Sequence, residues 1–174
     1  TIGDEVLLDY ENNACPTCGS CSGMYTANSM NCLTEAIGLS MPKSGTEPAV
    51  NAARRRLAKE TGERIVELVN QNICAKDIIT KKNMMNALAT DMAIGASSNT
   101  VLHLLAIAHE AGVDISLDDI DNKSKTTPQL SKLNPASDIF ITDLNDVGGM
   151  QSVIKELAKG GHVDTSVLTV SGTQ

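Results

Sequence analysis

The chain has 174 residues, 41% of them hydrophobic and 20% charged, with a formal net charge of -7. That length supports one core of its own and is too short for two domains, and the composition is neither that of a disordered chain nor that of a disulfide scaffold. The acidic balance excludes nucleic acid as a partner, because phosphate contacts need clustered cations and the only such run, Arg54-Arg55-Arg56, reads as a solvated helix face. No apolar stretch reaches the length of a membrane span and the N-terminus has no signal-like core, so a cytoplasmic protein without a membrane partner is expected.

Aromatic residues make up only 2% of the chain, so Leu, Ile, Val, Ala and seven Met must fill the core, which suits helices packed through small residues. Thr1 without an initiator Met, followed by IGDEVLLDYENNA, reads like the middle of something larger, and an internal piece of a longer chain is expected. Val6-Leu7-Leu8 suggests a short strand. From about Met24 to Leu39, apolar residues at Met24, Ala27, Met30, Leu33 and Ile37 recur at helical steps, with Gly38 and Pro42 closing the segment. Thr46 as N-cap, Glu47 and Pro48 in the first turn, and Val50, Ala53, Leu57, Ile65, Leu68 and Val69 mark a second helix. A third starts at Thr80 and carries Met84, Leu88 and Met92 on one face.

The run GASSNT, Gly95 to Thr100, reads as a loop opening the apolar helix Val101 to Ala111, which Gly112 ends. A short acidic helix follows, then strand candidates at Gln129 to Leu133 and in DIFITDL. Asp143 is the expected N-cap of a helix to about Ala158, Gly160-Gly161 its end, and Val167 to Val170 a last short strand. The fold class is therefore α/β and helix-rich: one partial domain over residues 1–174, with few short strands that need partners from elsewhere.

Cys15, Cys18 and Cys21 form two overlapping C-x-x-C steps just ahead of the first strong helix. A structural zinc site needs four ligands, and the answering pair is missing, since His103, His109 and His162 lie far downstream. A redox dithiol should open a helix, where the dipole lowers a thiol's pKa, and Cys21 is nearest to that start. An iron-sulfur cluster also takes thiolates, which need not come from one segment. On residue chemistry Cys21 is thus the favoured thiol, and Cys15 and Cys18 shape the loop that presents it. Cys32 reads as a small buried residue and Cys74 as structural.

ACPTCGSCSGMYTANSMNCLTEAIGLSMP resembles a cysteine motif of the dihydroxy-acid and 6-phosphogluconate dehydratase family, and within it the dihydroxy-acid branch. GASSNTVLHLLAIAHEAGV and DLNDVGGMQSVIKELAKGGHVD resemble two further segments of that family, in order, although Ala96 and Ser98 stand where the family usually has Gly and Thr. The resemblance implies a hydro-lyase that converts a 2,3-dihydroxy acid to a 2-keto acid in branched-chain amino acid synthesis. Its cofactors would be an iron-sulfur cluster, 2Fe-2S or 4Fe-4S, and Mg2+, and the parent would be a homodimer. It maps Cys21 onto a cluster ligand. The family's other cluster cysteines, its Cys-Asp-Lys segment and its C-terminal base have no counterpart here, so no catalytic residue lies within this chain, which is expected to be inactive alone and unable to hold either cofactor.

Ser97, Ser98 and Asn99 are candidates for holding the substrate carboxylate at a helix start, weighed against the cap-forming role such residues ordinarily take. The alternatives are a sugar-acid or 6-phosphogluconate dehydratase of the same family, and a standalone metal or redox module built on the three clustered thiols.

Overall fold

The computed structural model describes residues 2–14 and 18–173. Among them lie helices α1 (Asp4–Asn13), α2 (Thr26–Ile37), α3 (Ala52–Asn70), α4 (Ala75–Ile78), α5 (Lys81–Ile94), α6 (Asn99–Ala111), α7 (Leu117–Thr126), α8 (Ile141–Asp146) and α9 (Met150–Lys159). Among the described residues strand is confined to β1 (Leu168–Thr169) and β2 (Gly172–Thr173), an antiparallel pair with Leu168 opposite Thr173. The helix-rich reading holds, and its one correct strand is the last.

Helix α5 is the axis of the fold, packed against α2, α7 and α9, while α2 also meets α6 and α9. Its sequence explains the position. Ala87, Ala89 and Ala93 let neighbouring backbones approach closely, and Met84, Leu88 and Ile94 fill the space between them with no exposed surface. A helix buried on nearly every side shows no single apolar stripe. Each fully enclosed Leu or Met contributes about 1.5–3 kcal/mol. It starts beside Thr80, as expected, and the Thr80 hydroxyl caps it, accepting from Asn83 N at 3.4 Å. Two buried amides then fasten the C-terminal segment: Asn83 Nδ2 donates to Ile37 O at 2.8 Å and Leu168 O at 3.0 Å, and Asn86 Nδ2 donates to Asp164 O at 2.9 Å.

Three strand candidates are overturned. Val6-Leu7-Leu8 lies in α1, where Asp4 and Glu5 favour the helix N-terminus; no residue of this helix is buried. Residues 129–133 form no strand and hydrogen-bond the end of α5, with Leu130 N and Ser131 N both donating to Ala93 O. DIFITDL turns into α8, and Asp143 is its third residue rather than its cap, accepting from Phe140 N at 2.6 Å. The single helix expected as far as Ala158 is two, α8 and α9, separated by Val147-Gly148-Gly149. Gly149 has φ +65°, and a Cβ there would meet the Thr46 hydroxyl oxygen at 2.6 Å, so the break is both conformational and steric.

Thr46 is not a cap either. Helix α3 begins at Ala52 after Asn51, while the Thr46 hydroxyl donates to Asn145 Oδ1 at 2.9 Å. Pro48 disfavours helical geometry at Glu47, and the contact with Asn145 holds this stretch as a loop. Gly62 leaves α3 unbroken.

Asp91, only 6% exposed, sits in α5 with Oδ1 lacking a partner among the described residues. Burial pushes its carboxyl up to about 6 from 3.8, opposed by the Thr100 side chain. Since the folded value lies above the unfolded one, the stabilising contribution is complete below pH about 4 and is lost as pH rises through about 6, roughly 3 kcal/mol in all. Asp91→Asn is expected to flatten that dependence and to gain about 1–3 kcal/mol above pH about 7, read from urea midpoints of the full-length protein on either side of the window.

Candidate functional site

Residues 18–25 form an irregular loop ahead of α2. What fixes this loop is the interior of α2. Asn28, 4% exposed, donates through Nδ2 to Gly23 O at 2.8 Å and to Cys21 O, while its Oδ1 accepts from the Ser20 hydroxyl at 2.8 Å. From the other side, Met24 N donates to Asn134 O at 2.6 Å and Ile141 N donates to Ser22 O at 2.9 Å. The second bond explains why DIFITDL is not a strand: its backbone pairs with the cysteine loop.

This loop is one wall of a cavity of about 390 Å³ that Cys18 and Cys21 line together with Thr46, Glu47, Arg54 and Thr142. Cys21 is half-buried, its Sγ in a long contact of 3.5 Å with Gly23 O, and Cys18 is exposed. Helix α2 starts at Thr26 behind Tyr25, later than the sequence suggests. Cys21 is therefore set apart from Cys18 by the Asn28 clamp on its carbonyl more than by nearness to the helix end. Cys15 lies outside the described residues. No group of three or more metal-ligating side chains occurs among the described residues.

The facing wall is built on Glu35, 4% exposed, whose Oε1 accepts from Gly45 N at 2.6 Å and Oε2 from Lys43 N at 2.9 Å. Burial pushes this carboxyl up, partly offset by those two amides, Gln151 and Arg54. Cys32, fully enclosed beneath the loop, has its thiol pushed far above the ordinary range by burial and by Glu35, so it packs rather than reacts, as its helical position suggests. Glu47 accepts from Asn51 Nδ2 at 2.9 Å and Asn145 Nδ2 at 3.3 Å. Arg54 is half-buried and donates to Ser44 O at 2.7 Å, which corrects the reading of the arginine run as solvated throughout; Arg55 and Arg56 are exposed.

Ser97, Ser98 and Asn99 line no part of this cavity. They pack beside the start of α2, where Ser97 N donates to Ser29 Oγ at 2.9 Å and Asn99 Nδ2 donates to Thr26 Oγ1 at 2.6 Å. Ser98 occupies the cap position of α6 without a side-chain cap bond, and Asn99 N donates to Ser97 Oγ at 3.3 Å.

The dihydroxy-acid/6-phosphogluconate dehydratase N-terminal family matches residues 1–174. The chain belongs to this family. It is 57% identical over 98% of its length to a dihydroxy-acid dehydratase of Caldanaerobacter subterraneus subsp. tengcongensis, covering 31% of that relative. It is 54% identical over 98% of its length to the one from Carboxydothermus hydrogenoformans and 57% identical over 98% to the one from Desulfosudis oleivorans, again covering 31% of each. The chain thus spans about a third of the length of these family members.

Sequence reasoning singled out Cys21, which lines the cavity, and passed over Asn28, Glu35 and Arg54. A signal was there: Asn28, Cys32 and Glu35 fall at steps of four and three, one buried stripe of α2 in which two members are polar. Asn28→Ala is expected to destabilise the full-length protein by about 2–4 kcal/mol, because it orphans two carbonyls and a hydroxyl in a partly buried loop. Thermal denaturation checks that cost, and faster alkylation of Cys21 is expected from the loosened loop.

Proposed function

We propose that the full-length protein carrying this chain dehydrates a branched 2,3-dihydroxy carboxylic acid to a 2-keto acid in branched-chain amino acid synthesis, with Cys21 as one ligand of an iron-sulfur cluster. The observation that supports this most is the pairing of 51–57% identity to dihydroxy-acid dehydratases with a half-buried Cys21, clamped by Asn28, on the wall of a cavity with room for a ligand. A soft thiol whose one polar contact among the described residues is long suits an iron-sulfur centre.

The donor set in this chain is partial, so the remaining cluster ligands are assigned to the rest of the protein. Mg2+ is assigned there too, because Glu47, the one acidic side chain lining the cavity among the described residues, has both oxygens engaged by amides. When bound, the cluster would supply a Lewis-acidic iron for the departing hydroxyl. This chain's own part is positioning: Asn28 and Ser20 hold the loop, and the Glu35-anchored loop keeps the facing wall in place. The isolated chain is expected to be inactive, and the full-length protein a cytoplasmic homodimer.

Among the described residues Arg54 is the one Lys or Arg lining the cavity, which favours a carboxylate substrate over one that also carries a phosphate. The test is anaerobic turnover by the full-length protein of a branched 2,3-dihydroxy acid against 6-phosphogluconate, with iron quantified alongside. The expected result is keto-acid formation from the branched acid and little from the phosphorylated one. Preference for 6-phosphogluconate would establish the other branch of the family, and a stoichiometric cluster held by the isolated 174-residue chain would overturn the partial-site reading.

A further inference from the structure

Cys18 and Cys21 are both unpaired, line the same cavity, and are separated only by Gly19 and Ser20. The local backbone holds this arrangement firmly on one side and leaves it adaptable on the other. Ser20 and Cys21 are tied inward to Asn28. Gly19 has φ +122°, where an L side chain is strained, and a Cβ there would lie 3.3 Å from Ala49 Cβ, so this hinge position excludes larger residues. Cys18, on the far side of the hinge, is exposed and carries no hydrogen bond to the described residues that ties it down. The chain's other described thiols are not competitors: Cys32 is fully enclosed, and Cys74 caps α4 and lines no part of the cavity.

From this geometry we infer that Cys18 and Cys21 are a redox modification site, which closes to an intramolecular disulfide on reaction with a low-molecular-weight disulfide when no metal occupies Cys21. The order follows from exposure. The Cys18 thiol attacks the small disulfide, forming a Cys18 mixed disulfide and releasing one thiol that carries away the Cys18 proton. Cys21 then attacks the Cys18 sulfur, forming the Cys18–Cys21 bond and expelling the second small thiol with the Cys21 proton. Two protein thiols are oxidised and one small disulfide is reduced to two thiols, so atoms and electrons balance. The closed form withholds Cys21 from any metal and shields it from irreversible over-oxidation, and reduction by a dithiol restores it. The pairing itself does not depend on the cluster reading; only the consequence for metal binding does.

The experiment uses the full-length protein stripped of metal, treated with oxidised glutathione, then denatured, alkylated and digested. Mass spectrometry reads the peptide carrying residues 15–21, with Cys15→Ser and Cys18→Ser variants in parallel and circular dichroism to verify folding. The expected result is an internal disulfide in the native sequence and in Cys15→Ser, and no internal disulfide in Cys18→Ser. An internal disulfide that survives Cys18→Ser or disappears in Cys15→Ser would assign the pairing to Cys15 and overturn the inference, as would a native chain that stays reduced or stops at the mixed disulfide. A second readout is iron uptake, expected to be lost in the oxidised protein and recovered with dithiothreitol. Disulfide formation without any effect on iron would leave the modification site standing and overturn Cys21 as a metal ligand.

Discussion

Cys21→Ser in the full-length protein is expected to remove most of its iron and to lower kcat/KM by at least about a hundredfold, the size of loss seen when only the supporting groups of a metal site are removed. Serine keeps the shape of the side chain but exchanges a soft sulfur for a hard oxygen, which iron-sulfur centres tolerate poorly. The fold should be indifferent to the change. Cys21 Sγ makes one contact of 3.5 Å with Gly23 O, and the loop is carried by Asn28 and by backbone bonds from Asn134 and Ile141 that leave the sulfur untouched. The measurement is therefore iron content and activity against an unchanged melting temperature, with Cys18→Ser as the control expected to retain iron. A Cys21→Ser protein that keeps its full complement of iron would remove the residue from the ligand set.

The outcome separates two kinds of information in the sequence. Features encoded locally were legible: Thr80 caps α5, Gly112 ends α6, and the apolar steps from Met24 to Ile37 make α2. Apolar runs of three or four residues were not, because Val6–Leu8 and the Ile139–Ile141 stretch satisfy a strand or a helix equally until a partner is known. In DIFITDL the deciding partner is Ser22, far away in sequence. The same limit applies to the site. Cys21 stood out because three thiols in seven residues are conspicuous, whereas its cavity is closed by Thr46 reaching Asn145 across 99 positions, which no local pattern encodes. Asn28 and Glu35 lie between these extremes, since polar residues on the buried stripe of a helix announce a network without saying what it holds.

That network sets the second large effect. Glu35→Ala is expected to destabilise the full-length protein by about 4 kcal/mol, because it leaves two backbone N–H groups unpaired in a partly buried turn, each costing about 1–3 kcal/mol, and opens a space beneath them. The turn cannot relax cheaply, since Lys43 adopts φ +71° and Gly45 has no room for movement toward α2: a Cβ on it would meet Asn31 O at 2.7 Å. Glu35→Gln is expected to cost less, about 1–2 kcal/mol, because one oxygen still accepts while the NH2 group opposes the second amide and the buried charge is gone. The pH dependence distinguishes the two contributions. Burial raises the folded-state value for Glu35, so its stabilising contribution is complete below the ordinary glutamate range and declines as pH rises through the raised value. Both variants should lose that decline, whereas only Glu35→Ala should also loosen the Thr46–Glu47 wall. Denaturation midpoints across pH read the first effect, and hydrogen exchange at Gly45 and Lys43 reads the second. Amides at these two positions that stay protected in Glu35→Ala would mean that the cavity wall stands without its buried carboxylate.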